Sequence, residues 1–152
     1  MSNKITIYTD GSAVNGTHDK GGYGIVFING SVRQFAGGQY SHTTSARMEV
    51  LAIVKALEKC KPGDIVTVYS DNEYAVNTLQ KKWIFKWVDE NFRGRKNKDL
   101  WRSFYIQYQR LHCKVTLKWI RGHDGNEYNE IADRLARIGS KRVKIIKDQS
   151  WL

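Results

Sequence analysis

Asp10, Glu49, Asp71 and Asp133 lie far apart in the chain, and each stands where a carboxylate has both an ordinary structural job and a chemical one open to it. Asp10 ends the alternating run "ITIYTDGSA" at Asp10-Gly11-Ser12, where an Asp-Gly turn is the simple explanation. Glu49 shares a helical arc with Ala52, Ile53 and Ala56, away from Lys55, Glu58 and Lys59, and an acid facing a core is costly unless paired or metal-bound. Asp71 follows the β-branched run "IVTVYS", so it is either a helix N-cap or a group at the carboxyl end of a central strand, where α/β proteins build sites. Asp133 borders the stripe Tyr128, Ile131, Leu135 and Ile138, with an i,i+4 ion pair to Arg137 as its structural alternative.

If the four converged with no cation present, repulsion would raise their pKa values and destabilise the fold. A hard divalent cation removes that conflict, because Mg²⁺ takes oxygen ligands and is typically held by carboxylates together with phosphate oxygens. Two such ions about 4 Å apart can activate a water on one side of a phosphodiester and stabilise the leaving oxygen on the other. The rest of the chain is suited to a polyanion. It carries 25 Lys and Arg against 15 Asp and Glu, a net charge of +10, and such a balance points to nucleic acid or an anionic membrane surface. Nucleic acid is favoured by residues 81–101, "KKWIFKWVDENFRGRKNKDLW", where cations that neutralise phosphates interleave with rings that pack on sugars or bases. For any single Trp in this stretch, core packing is an equally good use.

The elements that must position these groups follow from pattern. Strands are predicted over 4–9, 22–28 and 32–36, the last two joined at Asn29-Gly30, and a helix over 45–60 with Ser45 as N-cap. A buried strand over 65–70, helices over 71–80 and 99–111, a strand over 114–120 and a helix over 126–139 ended by Gly139 complete the series. Strands that meander and then alternate with helices give an α/β domain with a mixed sheet. At 152 residues the chain reads as one domain, 1–152, with 140–152 as a C-terminal extension. Cys60 and Cys113 lack metal or disulfide spacing and read as small core residues. No apolar run suits a membrane span and no leader precedes the first strand, so the expectation is a cytoplasmic protein.

From "YTDGS" through "GGYG", "RMEV", "YSDNEYA", "WIFKW" and "DLW" to "WIRGHDGNEYNEIADRLA", the chain resembles type 1 ribonuclease H along nearly its whole length. The resemblance implies a five-stranded mixed sheet flanked by helices and hydrolysis of the RNA strand of an RNA–DNA hybrid, leaving 5′-phosphate and 3′-hydroxyl ends. It implies two Mg²⁺ ions, with Mn²⁺ as substitute, and a monomer. Asp10 would bridge both ions, Asp133 would share the ion that activates water, and Glu49 and Asp71 the ion at the leaving 3′ oxygen. His123, in "RGHDG", would handle protons or product release, and a side chain that titrates near neutrality suits that role. Substrate contacts are implied at Gly11, Ser12, Thr44, Ser45, Glu73, Trp83, Trp87, Lys96, Asn97 and Lys98. Among these, Thr44 and Asn97 match a DNA-strand phosphate pocket, Trp83 and Trp87 a deoxyribose channel, and the cationic segment 81–98 a basic protrusion.

Several positions depart from the bacterial pattern. Ser45-Ala46 stands where many relatives have Asn-Asn, Glu73 where a groove-reading Gln is frequent, and His42 where an Arg often joins the phosphate pocket. None is one of the four acids. Two other readings compete: an integrase- or resolvase-like nuclease with a related acidic cluster, and a non-catalytic hybrid binder. The separate fourth acid in "NEIAD" and the "GHDG" loop fit the hybrid-cleaving branch better than the first, and retention of all four acids argues against the second.

Overall fold

The strand that begins at Lys4 does not stop at the Asp-Gly pair. β1 (Lys4–Ala13) continues through it because residues 10–13 stay in antiparallel register with β2 (Gly21–Asn29), Asp10 opposite Gly24 and Ser12 opposite Gly22. Asp10 is therefore a ladder residue, and the turn that its dipeptide suggests does not form. β2 and β3 (Ser31–Ser41) are joined at Gly30, whose φ of +74° lies in the left-handed region that glycine enters without strain. The computed structural model describes residues 3–14, 20–141 and 146–147.

α1 (Ser45–Glu58), β4 (Ile65–Ser70), α2 (Glu73–Gln80), α3 (Trp83–Asp89), α4 (Lys98–Arg110), β5 (Val115–Trp119), α5 (Glu127–Ser140) and β6 (Ile146–Lys147) follow in order. The sheet order is β5-β4-β1-β2-β3-β6, with β1, β2 and β3 antiparallel to their neighbours in turn and β4, β5 and β6 joined by parallel pairings. The sheet thus has six strands where five were expected. The extra one is the two-residue β6, which pairs with Tyr40 and Ser41 and comes from the segment anticipated as an extension. Ser140 closes α5 and Lys141 caps it, while 142–145 and 148–152 lie outside the described residues.

Strand alternation separates two packing faces. Ile5 and Ile7 of β1, Ile25 and Phe27 of β2, and Val66 and Val68 of β4 are buried in one core with Val50, Ile53, Val54 and Leu57 of α1 and with Trp101 and Phe104 of α4. The opposite parity meets α5. There, a Cβ on Gly24 would fall 2.2 Å from the Ala132 carbonyl oxygen, so only a glycine lets this helix lie against the strand. Gly139 serves the same close packing: its Cβ would lie 2.2 Å from the Gly37 carbonyl oxygen, and α5 continues to Ser140 instead of ending at that glycine.

Local capping also differs in detail from expectation. Thr44, not Ser45, caps α1, its Oγ1 accepting from the Arg47 N–H at 3.1 Å. Cys60 is buried as expected, but Cys113 is exposed, in a turn after α4 at φ +61°. Among the described residues, no helix is long and apolar enough to cross a membrane.

Candidate active site

Three acids from three elements meet at one end of the central strands. Asp10, Glu49 and Asp71 each offer an oxygen, and these atoms lie within 4.8 Å of one another. Backbone packing brings them there. A Cβ on Gly11 would sit 2.3 Å from the Glu49 nitrogen, so a side chain at position 11 would push α1, and Glu49 with it, away from Asp10. Asp71 is the first residue after β4, and its capping alternative is taken by its neighbour: Asn72 Oδ1 accepts from the Ala75 N–H at 3.0 Å. The Asp71 carboxylate is thus left for the site, while its carbonyl accepts from Trp119 Nε1 at 3.2 Å.

Burial and mutual charge shape the electrostatics of the cluster. Asp10 is 4% exposed, and burial, followed among the raising causes by the Asp71 and Asp133 charges, lifts its pKa to about 7. Burial and the adjacent Asp10 push Glu49 well above the ordinary carboxylate range, and its Oε2 is buried without a hydrogen-bond partner. Asp71 is raised by burial and by Asp133, and the charge of His123 acts in the opposite direction. Asp133 stands at the margin, near enough to act on Asp10 and Asp71 but outside the tight group, with Oδ2 3.0 Å from Arg137 Nη2. The ion pair and the neighbourhood of the other acids, alternatives for Asp133 in the sequence, therefore coexist. His123 is exposed, at φ +56°, and lines an open cleft of about 360 Å³ with Asp133 and Arg137.

The residues fit a divalent cation on their own chemistry: three oxygen donors within reach of one another, a buried carboxylate oxygen with no partner, and pKa values that a positive charge would restore.

Two of the residues matched to substrate contacts, Lys96 and Asn97 of the basic turn, line a second cleft. Its volume is about 280 Å³, and Ala46 and Val50 of α1, Asn72 and Tyr74 line it too, among others. Thr44, Ser45, Glu73, Lys96 and Lys98 are exposed, and Gly11, Ser12 and Trp83 half-buried. The two tryptophans divide. Trp87 is only 4% exposed, set edge-on to Trp101 with the Arg95 guanidinium 5.1 Å from its ring centre, so core packing accounts for that ring. The exposed aromatic on this side is one that periodicity does not single out, Tyr74, whose ring packs against both Trp83 and Trp87.

Arg47 opens the "RMEV" motif, but the sequence alone assigns it no role. It is fully buried, with Nη1 and Nη2 donating to both Asp99 oxygens at 3.1 and 2.7 Å and Nη1 also to Asn97 Oδ1 at 3.1 Å. A signal exists in the spacing, since Arg47 shares the helical stripe of Val50, Val54 and Leu57, and an arginine there requires partners.

Comparison with known proteins agrees with this architecture. Residues 2–141 match the RNase H family model. A protein named ribonuclease H from Chlorobium phaeobacteroides (strain BS1) is 40% identical over 90% of this chain and 94% of its own length. Another of that name from Trichodesmium erythraeum (strain IMS101) is 37% identical over 97% of this chain and 96% of its own. The solution structure of the PFV RNase H domain superposes with a TM-score of 0.75 at 25% identity, covering 92% of this chain and 96% of that one. With the family model matched almost from end to end and relatives of this identity aligned over nearly their full length, the chain belongs to the ribonuclease H family.

Proposed function

We propose that this chain is a Mg²⁺-dependent endoribonuclease that hydrolyses the RNA strand of RNA–DNA hybrids, leaving 5′-phosphate and 3′-hydroxyl ends. The observation that carries this reading is the convergence of Asp10, Glu49 and Asp71, with Asp133 beside them, in a protein whose net charge is +10. Family membership and relatives named ribonuclease H support it. The working unit is taken as a single domain, 1–152, acting as a cytoplasmic monomer.

Asp10 would hold both ions, Asp133 the one on the water side, and Glu49 and Asp71 the one on the leaving-oxygen side, with Mn²⁺ able to substitute. When bound, the two ions supply a water activated at neutral pH and positive charge for the oxygen that departs. The protein's own part is to fix that geometry beforehand: β1, β4 and α1 set three carboxylates in place, and the approach at Gly11 keeps them there. His123, exposed at the mouth beside Asp133, can exchange a proton with the attacking or departing oxygen and pass it to solvent. Exposed cations on the basic turn hold the polyanion, with Thr44, Asn97 and Trp83 placing its DNA strand. Glu73, exposed at the start of α2, stands where a groove-reading Gln is frequent, and an acid there would accept but not donate hydrogen bonds.

The test is cleavage of a labelled RNA–DNA hybrid beside matched RNA and DNA duplexes, with Mg²⁺ and with chelator. Cutting confined to the RNA of the hybrid, and abolished by chelation, is expected. Equal cutting of duplex DNA would favour the integrase- or resolvase-like reading, and hybrid binding without cutting would favour the binder.

A further inference from the structure

Arg47 donates three hydrogen bonds to Asp99 and Asn97 with no exposed surface of its own, and their directions have a chemical consequence. A guanidinium only donates, so the side chain of Asn97 satisfies the contact in one orientation: its carbonyl oxygen on Arg47, and its two amide hydrogens turned the other way. Asn97 stands at φ +57° immediately before α4 and lines the cleft shared with Lys96, Ala46 and Asn72. A backbone held in the left-handed region, a side chain clamped at its oxygen and a lysine on the same cleft together present donors, which suits an anionic oxygen.

We infer that Arg47 is a positioning residue for hybrid binding: by clamping the Asn97 carbonyl, it holds the Asn97 amide as a donor toward a backbone phosphate of the hybrid. This rests on the reading of the chain as a hybrid-cleaving enzyme. Arg47 acts through Asn97 and touches no substrate itself. The planar fork explains why arginine is required, because three acceptors on two residues must be met at once and a lysine ammonium cannot span them with the same geometry. Asn97 is equally constrained. An aspartate of the same shape would satisfy Arg47 fully, yet would turn an acceptor toward the phosphate.

The test compares wild type, N97D, R47K and the double variant in steady-state cleavage of a labelled hybrid, with thermal unfolding measured alongside. N97D keeps Arg47 paired, so its unfolding temperature is expected to stay near that of wild type while KM rises about tenfold, well beyond any change in kcat. R47K is expected to raise KM about threefold to tenfold by releasing the amide, and to add nothing to KM in the N97D background, where no donor remains to be oriented. An unchanged KM in R47K overturns the inference, and so does a full multiplication of the two effects. If R47K unfolds at the assay temperature, hybrid affinity at 4 °C in a D10N background replaces KM, with the same two outcomes decisive. A wild-type protein that cleaves no hybrid would instead remove the functional reading beneath the inference.

Discussion

Two charged clusters are attached to the same turn of α1, and they are built on opposite principles. Arg47 is a buried cation with its partners supplied: Asp99 meets its fork with both oxygens, and Asn97 takes a third hydrogen bond. Glu49, two residues on, is a carboxyl group whose close neighbours Asp10 and Asp71 are carboxyl groups too, so that burial and their charge raise its pKa, and its Oε2 is buried with no hydrogen-bond partner. Burying charge without compensation costs several kcal/mol, so a cluster of the second kind either holds protons or takes a cation from outside the protein. The first cluster is satisfied within the protein, and the second is suited to a cation. That distinction is sharper than the count of acids, because it says which charges the protein has already satisfied.

The comparison breaks most readily at Asp10. Asp10→Asn keeps the shape of the side chain but removes a ligand charge, and is expected to lower hybrid cleavage at least about a thousandfold while leaving hybrid binding in place. Cleavage within tenfold of wild type, measured with labelled hybrid at saturating Mg²⁺, would mean the cluster is not the metal site.

The opposite response is expected from the paired cluster. Asp99→Ala takes the carboxylate from the buried Arg47 guanidinium while leaving its hydrogen bond to Asn97, and removing one member of a buried pair costs on the order of 3 kcal/mol. Denaturant unfolding should show a lower midpoint with an unchanged slope. A midpoint equal to that of wild type would show that Arg47 finds other acceptors.

Stability against pH sharpens the contrast. Asp10 has a folded pKa of about 7 against an ordinary value of 3.8, so the folded state binds its proton more tightly than the unfolded state does. The stability this adds is complete below 3.8 and is lost as pH rises through about 7, and Glu49 and Asp71, both raised, act in the same direction. In chelator, unfolding free energy is expected to fall by on the order of 2 kcal/mol between pH 5 and pH 8, less in Asp10→Asn, with Mg²⁺ restoring it at pH 8. A flat profile in chelator would mean that the carboxylates carry a counter-charge from within the chain.

How far the architecture is legible in the sequence depends on whether the cause is local. Helices and central strands are readable because burial periodicity along one element is enough to define them. Asp10 itself is misplaced at a turn, since Asp-Gly is a turn dipeptide by local preference and only pairing with residues 21–24 keeps it in the ladder. Asp71 separates from an N-cap only once Asn72 is seen to do the capping. The family likeness names the four acids, but their geometry depends on backbone approaches, Gly11 to Glu49 and Gly24 to Ala132, that no periodicity encodes. Trp87 shows the converse. Its place among cations and rings leaves core packing and ligand contact equally open, and its edge-on packing with Trp101 accounts for the ring as core.

The smallest expected effect lies in the basic turn, which resembles neither buried cluster because its charges do not depend on one another. Lys96 lines the Asn97 cleft and Lys98 opens α4 on the other side of Asn97, so each should act on the hybrid only as a cation near phosphate. Replacing both by Ala is expected to reduce the slope of log affinity against log salt by roughly 0.9 for each phosphate left without its lysine, with affinity falling most at low salt. Binding of the hybrid across a salt series, in an Asp10→Asn background that prevents cleavage, measures this directly. An unchanged slope would shift the polyanion path toward the lysines flanking and within α3, Lys81, Lys82 and Lys86, and away from the turn that carries Asn97.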